Sequence, residues 1–245
     1  MVELEHLKDI YGARHVQFED DNLTHDIVRA KKIFRGMIDG NLNVKWTTPN
    51  GVALWCMDRE ALDLMKSSGC YYVKFAVESG SQKVLTDIIQ KPQDLEKVIP
   101  LIVYARSIGL KVGSFFVVGL PGETKEQIRE SFDFPYKVKL DWVEYSIATP
   151  HYGTELRNIC QKGGYLKTHS CGELFARKGL IDTPEFSAER LEQKIIEENK
   201  KYIKYLMFHQ PATILSQGWE AFRRNPSFVI EYVFKNFGFK NTDNN

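Results

Sequence analysis

The chain has 245 residues, 43% of them hydrophobic and 27% charged, with a formal net charge of +1. That length suits one large domain or a domain with an appendage, and the apolar fraction can fill a sizeable core. The near-neutral balance gives no bulk field for nucleic acid or a membrane surface, and no apolar run approaches the roughly 20 residues of a membrane span.

The charged opening "MVELEHLKDIYG" reads as a helix, neither a signal nor a transit peptide. "RHVQFED" (14–20) alternates as a strand does and then turns acidic. Ile27, Ala30, Phe34, Met37 and Ile38 mark one face of a helix. "NVKWTT" (43–48) is a second strand, stopped by Pro49, Asn50 and Gly51. Asp58 can cap a helix that runs through Leu62 and Met65 and stops at Gly69. "YYVKFAVES" (71–79) is a third strand, and Leu95, Val98, Ile102 and Ala105 mark a helix ending at Gly109. "KVGSFFVVG" (111–119) is a fourth strand, followed by a capping box from Thr124 to Gln127. "WVEYSIATP" (142–150) is the fifth. Pro100 and Pro135 fall inside two of these helices, and each is expected to kink or shorten its helix.

Strands that each follow a helix imply an α/β fold with a parallel sheet, either doubly wound or a barrel. From residue 184 the strand signal stops. "SAERLEQKIIEENKKYIKYLMF" reads as one long helix and the segment from Pro211 to Phe239 as two shorter ones. The expected division is therefore residues 1–183 as the βα unit and 184–245 as a helical appendage. Trp219, Phe222, Phe228, Tyr232 and Phe237 in that appendage either pack on the barrel exterior or form a surface for another domain.

The strand ends share a chemistry. They read Glu19-Asp20-Asp21, Thr48-Pro49-Asn50-Gly51, Glu78-Ser79-Gly80, Gly119 to Thr124, and Pro150-His151-Tyr152-Gly153-Thr154. In parallel βα folds the carboxyl ends of the strands are where ligands bind. Carboxylates there suit an ammonium group, ribose hydroxyls or a divalent cation, and glycines let a ring or a ribose lie against the backbone. Taken alone, Glu78 reads as a capping carboxylate for the following "SQKVLTDII", and only the other strand ends turn it toward a ligand. Cys56, Cys70, Cys160 and Cys171 form no Cys-x2-Cys pair, so they read as reduced thiols of a cytoplasmic protein.

"VQFEDDNLT", "WTTPNG", "MKSSGCYYVKFAVESGSQKVL", "GSFFVVGLPGET" and "ATPHYGTEL" together resemble the radical S-adenosylmethionine (radical SAM) superfamily, above all the branch with an upstream cobalamin-binding domain. The resemblance implies a partial TIM-type (β/α) barrel that binds S-adenosylmethionine at its mouth. It sets Glu19, Asp20 and Asp21 at the ligand's amino group, with Asn50 on the neighbouring strand end. It sets Glu78 and Ser79 at the ribose and Lys91 at the methionine carboxylate. Gly119, Pro121, Gly122 and Glu123 would lie near the adenosine, and Pro150, Gly153 and Thr154 near the adenine.

The superfamily also implies a Cys-x3-Cys-x2-Cys loop holding a 4Fe–4S cluster after the first strand, and this sequence has no such loop. With five strands for the family's six, the chain is expected to be a fragment lacking the cluster unit and inactive alone, rather than a protein that has discarded its cluster. The complete protein would use the cluster, and cobalamin, for radical-based methylation or cyclisation of a small-molecule substrate. Two other readings stand beside this one. The first is a barrel hydrolase or lyase with a divalent metal on Glu19, Asp21 and Glu78, although the six histidines form no ligand spacing. The second is a non-catalytic binding subunit.

Overall fold

The computed structural model describes residues 1–167 and 179–227. Cys171, Phe228, Tyr232 and Phe237 lie outside the described residues. Five strands, β1 (His15–Gln17), β2 (Lys45–Val52), β3 (Cys70–Glu78), β4 (Lys111–Val118) and β5 (Trp142–Ile147), form one sheet in chain order. Every neighbouring pair is parallel. A doubly wound sheet reverses its strand order partway, so an unreversed parallel order is the arc of a partial TIM-type barrel. All five carboxyl ends therefore lie along one edge.

The helices are α1 (Val2–Tyr11), α2 (Ile27–Asp39), α3 (Arg59–Ser67), α4 (Leu95–Ser107), α5 (Lys125–Val138), α6 (Glu155–Gly163), α7 (Ala188–His209) and α8 (Pro211–Arg224). Alternation along the strands separates the two sheet faces. Val73, Phe75 and Val77 of β3 and Val112, Phe116 and Val118 of β4 are fully buried. Lys74 and Ala76 of β3 and Phe115 of β4 alternate with them, are only half-buried and line the inner face. On the helix side Trp46 of β2 stacks on Phe34 of α2 at 5.1 Å, and its indole N–H donates to the Ser68 carbonyl at 3.1 Å. Val118, Ile128, Phe132, Leu191 and Ile195 join β4, α5 and the start of α7 in another buried cluster.

Short polar side chains start the helices, as their spacing predicts. Asp58 accepts from the Ala61 N–H at 2.8 Å. Thr124 accepts from the Gln127 N–H at 3.3 Å while the Gln127 side chain accepts from the Thr124 N–H at 2.9 Å, completing the capping box. Thr124→Ala removes one half of that box and is expected to cost about 1 kcal/mol of folding free energy. Urea unfolding reads this directly, and Thr124→Ser should restore most of it.

Of the two outcomes expected at the prolines, shortening does not occur: neither helix is cut short. Pro100 is exposed in α4, so water can reach the Glu96 carbonyl that loses its intrahelical donor, and Pro135 sits in the last turn of α5, which ends at Val138. Nor does β2 stop at Thr48. It runs through Pro49, Asn50 and Gly51 to Val52, and the register slips between Thr48↔Val73 and Val52↔Phe75. The two extra residues bulge out of the ladder, which accommodates a proline that cannot donate.

The chain forms two compact units, Met1–Glu198 and Asn199–Asn245. Among the described residues of the second unit are the end of α7, where Tyr205 stacks on His209 at 4.4 Å, and α8, where Trp219 stacks on Phe222 at 6.2 Å. No helix among the described residues is long and apolar enough to cross a membrane.

Candidate functional site at the strand ends

The end of β3 is strained where it meets the site. Two β3 residues, Val77 and Glu78, face one step of β4, so the strand bulges there. The Ser79 N–H donates back to the Val77 carbonyl at 2.9 Å, closing a three-residue turn with Glu78 at its centre and φ at 71°. That left-handed conformation is rare for a residue other than glycine, and it aims the Glu78 side chain off the ladder.

A loop clamps onto this irregular end. Lys91 Nζ donates to the Ala76 carbonyl at 2.8 Å and to Glu78 Oε1 at 2.6 Å, and Gln93 Nε2 donates to the Val77 carbonyl at 2.9 Å. The Lys91 ammonium also lies 4.8 Å from the centre of the Trp55 ring. Burial pushes the Lys91 pKa down, and the Glu78 carboxylate opposes it. An ammonium in that position stays charged only with an anion or a π-face beside it.

Around this pair is a cavity of about 160 Å³. It is lined by Asp21 and Asn22 after β1, by Asn50 to Ala53, by Trp55, by Ala76 and Glu78, by Lys91, and by Phe115 of β4. Asn50 Nδ2 donates to the Glu19 carbonyl at 3.0 Å, so the β2 bulge holds the acidic loop in place. Within that loop Asp21 lines the cavity, whereas Asp20 faces Arg29 of α2 at 3.8 Å and Glu19 contributes its carbonyl, with its residue exposed.

The other predicted residues take different positions. Ser79 is fully buried, and its hydroxyl shares a 3.1 Å hydrogen bond with Ser131 of α5 and accepts from the Ser81 N–H. Ser79 and Gly80 thus fasten β3 to α5 in this structure. Gly119, Pro121 and Gly122 form the turn after β4, shaped from within by Glu123. One Glu123 oxygen, Oε2, accepts from the Gly119 and Leu120 N–H groups at 2.7 and 3.1 Å, while Oε1 is buried with no partner. Burial raises this carboxyl to about 7 against the two N–H groups that favour its ionised form. After β5, the Pro150 carbonyl accepts from Arg157 Nη1 at 3.0 Å, Gly153 is exposed, and Thr154 caps α6. None of these second-group residues lines the 160 Å³ cavity.

Trp55, Asn22 and Phe115 are cavity residues that sequence reasoning missed. Trp55 belongs to a single 3-10 turn, Leu54–Cys56, and Phe115 to the middle of a strand, where an apolar residue carries no local sign of a ligand. A faint signal lay in Gly51: with φ at 89°, a Cβ there would fall 2.6 Å from the Phe115 ring.

No group of three or more His, Cys, Asp or Glu among the described residues could hold a metal ion. Of the carboxylates expected to bind a divalent cation, Glu78 is paired with Lys91. Cys70 and Cys160 are buried, and burial pushes their thiols and that of Cys56 upward, away from the thiolate a cluster requires. Among the described residues, none fit a 4Fe–4S cluster.

Comparison with known proteins gives the context for this geometry. Residues 3–134, more than half of the chain, match the family described as the radical SAM superfamily. The cytidylyl-2-hydroxyethylphosphonate methyltransferase of Streptomyces wedmorensis is 38% identical over 185 residues, covering 73% of this chain and 34% of that protein. An uncharacterized methyltransferase of Pyrococcus horikoshii is 25% identical over 229 residues, 94% of this chain and 45% of that protein. The chain thus spans between a third and a half of these relatives. Among solved structures, the radical S-adenosylmethionine methyltransferase TsrM from Kitasatospora setae, with tryptophan and a SAM analogue bound, superposes with a TM-score of 0.56 at 18% identity. That match covers 68% of this chain and 33% of TsrM, and at this identity it speaks for the fold alone.

Proposed function

This chain belongs to the radical SAM superfamily, and from that premise we propose that its strand-end cavity receives the amino-acid end of S-adenosylmethionine. The observation that carries the reading is the Lys91, Glu78 and Trp55 constellation facing Asp21 across one cavity. An ammonium, carboxylates and an aromatic wall are the complement of a zwitterion that also carries a cationic sulfonium. At about 160 Å³ the cavity holds part of such a ligand; full ligand sites are roughly 300–1,000 Å³. The nucleoside would extend along the sheet edge toward Gly119, Pro121 and Gly122, with Glu123 holding that turn, and toward Pro150, Gly153 and Thr154.

In this reading Lys91 orients the ligand's carboxylate, and Asp21, assisted by the Asn50 and Glu19 loop, takes its ammonium group. Glu78 is available for the ribose hydroxyls, and Trp55 and Phe115 exclude water. S-adenosylmethionine supplies the transferable methyl group. The chain's described residues do not fit the cluster, so the 4Fe–4S centre, a cobalamin-binding domain and the substrate contacts would come from sequence outside this chain. The methyltransferases it resembles favour methylation of a small molecule over cyclisation. A cytoplasmic setting, in keeping with the unpaired Cys56, Cys70 and Cys160, is part of the same proposal.

Calorimetric titration with S-adenosylmethionine tests the reading. Binding is expected without added magnesium, weakened about tenfold or more by Lys91→Ala, which removes a charge-assisted contact. Saturable binding that Lys91→Ala and Asp21→Asn leave unchanged would sink it, as would absence of binding up to about 1 mM ligand.

A further inference from the structure

We infer that Glu78 is a placeholder carboxylate, occupying Lys91 until the carboxylate of an incoming amino-acid ligand displaces it. The inference rests on the reading of Lys91 given above and goes beyond it in assigning an exchange of partners. A lysine ammonium has three N–H donors. One meets Glu78 Oε1 at 2.6 Å, a second meets the Ala76 carbonyl at 2.8 Å, and the remaining side faces the Trp55 ring at 4.8 Å. The side chain of Lys91 is 8% exposed, against 25% for that of Glu78. A ligand carboxylate therefore finds no free donor on Lys91 and no room to approach it unless Glu78 moves.

Glu78 is the partner free to move. The Ala76 carbonyl belongs to the β3 backbone and Trp55 is fixed in its 3-10 turn, whereas the Glu78 carboxylate is the more exposed and lines the cavity itself. It is also held at a backbone cost, since φ at 71° is unfavourable for any side-chain-bearing residue. The ion pair with Lys91 offsets that cost while the cavity is free of ligand. Replacing one carboxylate by another leaves the buried ammonium neutralised in both states, so the exchange passes through no unpaired buried charge. The displaced Glu78 then faces the same ligand's hydroxyls or ammonium from the cavity wall, beside Asp21. The arrangement selects ligands that bring their own carboxylate, an α-amino acid joined to a nucleoside, over the bare nucleoside.

Glu78→Gln is the test, with S-adenosylhomocysteine and adenosine as probes and Lys91→Ala as a control. Removing the internal competitor should tighten S-adenosylhomocysteine about three- to tenfold, because the binding-competent state is no longer a minority, and should leave adenosine, which brings no carboxylate to displace Glu78, unchanged. Equal or weaker binding of S-adenosylhomocysteine to Glu78→Gln, with Lys91→Ala still weakening it about tenfold or more, overturns the placeholder and leaves the reading of Lys91 standing. Binding that Lys91→Ala does not alter, or no binding to any variant, overturns both. In wild-type protein labelled at the glutamate side-chain carboxyl carbon, the Glu78 resonance should move with S-adenosylhomocysteine and stay with adenosine. A resonance that answers to both probes or to neither also overturns the exchange, without recourse to a variant.

Discussion

Replacing Gly80 by alanine is expected to lower the folding free energy by about 3 kcal/mol, the upper end of what overpacking a rigid contact costs. A Cβ at Gly80 would lie 2.3 Å from the Glu130 carbonyl oxygen and 2.8 Å from the Ser131 Cα. Both atoms are helix backbone, which cannot rotate aside as a long side chain can. The end of β3 must then part from α5, breaking the 2.9 Å bond from the Gly80 N–H to Ser131 Oγ and the 3.1 Å bond between the Ser79 and Ser131 hydroxyls. A chain of this size loses roughly 2–4 °C of melting temperature per kcal/mol, so the variant should melt well below the wild type. Gly153→Ala is the comparison. Unlike Gly80, it carries a left-handed φ, 80°, and nothing lies within 4 Å of its Cβ, so only about 1 kcal/mol of backbone strain is expected. Equal melting of the two variants would show that contact with α5 is not why residue 80 is a glycine. Because Glu78 is two residues away, Gly80→Ala should also weaken S-adenosylmethionine binding.

The second large effect is a dependence of stability on pH that resides in one carboxyl group. Glu123 is fully buried, with Oε2 held by two N–H groups and Oε1 unpartnered, and burial raises its pKa from 4.5 to about 7. A folded pKa above the unfolded one means the folded chain binds the proton more tightly. Stability from this group is thus complete below pH 4.5, declines as pH rises toward 7, and is lost above it. That gap corresponds to about 3 kcal/mol at 1.36 kcal/mol per pH unit. Asp58 and Asp94, whose carboxyls are held low, act in the opposite sense at more acidic pH and leave this window clear. Glu123→Gln keeps an acceptor for the Gly119 and Leu120 N–H groups and cannot ionise, so its urea-unfolding free energy should differ little between pH 5 and pH 8. The histidines are common to both proteins and cancel in the comparison. Equal pH dependence in wild type and Glu123→Gln would remove Glu123 as its source.

Much of the architecture was legible because it follows local periodicity. The apolar faces of α2, α3 and α4, the caps at Asp58 and Thr124, and the existence and order of the five strands follow alternation and capping chemistry, while the bounds of β1 and β2 do not. The acidic loop after β1 and Glu78 stood out because polar ends recur on all five strands, and Lys91 only through the family resemblance. The contact of Ser79 and Gly80 with α5 was not legible because a hydroxyl and a bare backbone suit a helix contact as well as a ligand, and Ser131 of α5 approaches from 52 residues along the chain. Trp55 and Phe115 escaped notice because apolar residues in a short turn and within a strand look like core whichever way they point.

By itself, then, the amino-acid order determined the elements, their βα alternation and a rim of polar strand ends, since each of these depends on spacing within a few residues. Only the tertiary structure decided that the sheet runs unreversed, that Asp21 rather than Asp20 faces the cavity, and that Glu78 meets Lys91 in a strained turn. Those outcomes depend on bulges in β2 and β3 and on the packing of α5. A bulge shifts a side chain from one face to the other by a single residue of register, and the partner strand sets that register across a separation no local pattern spans.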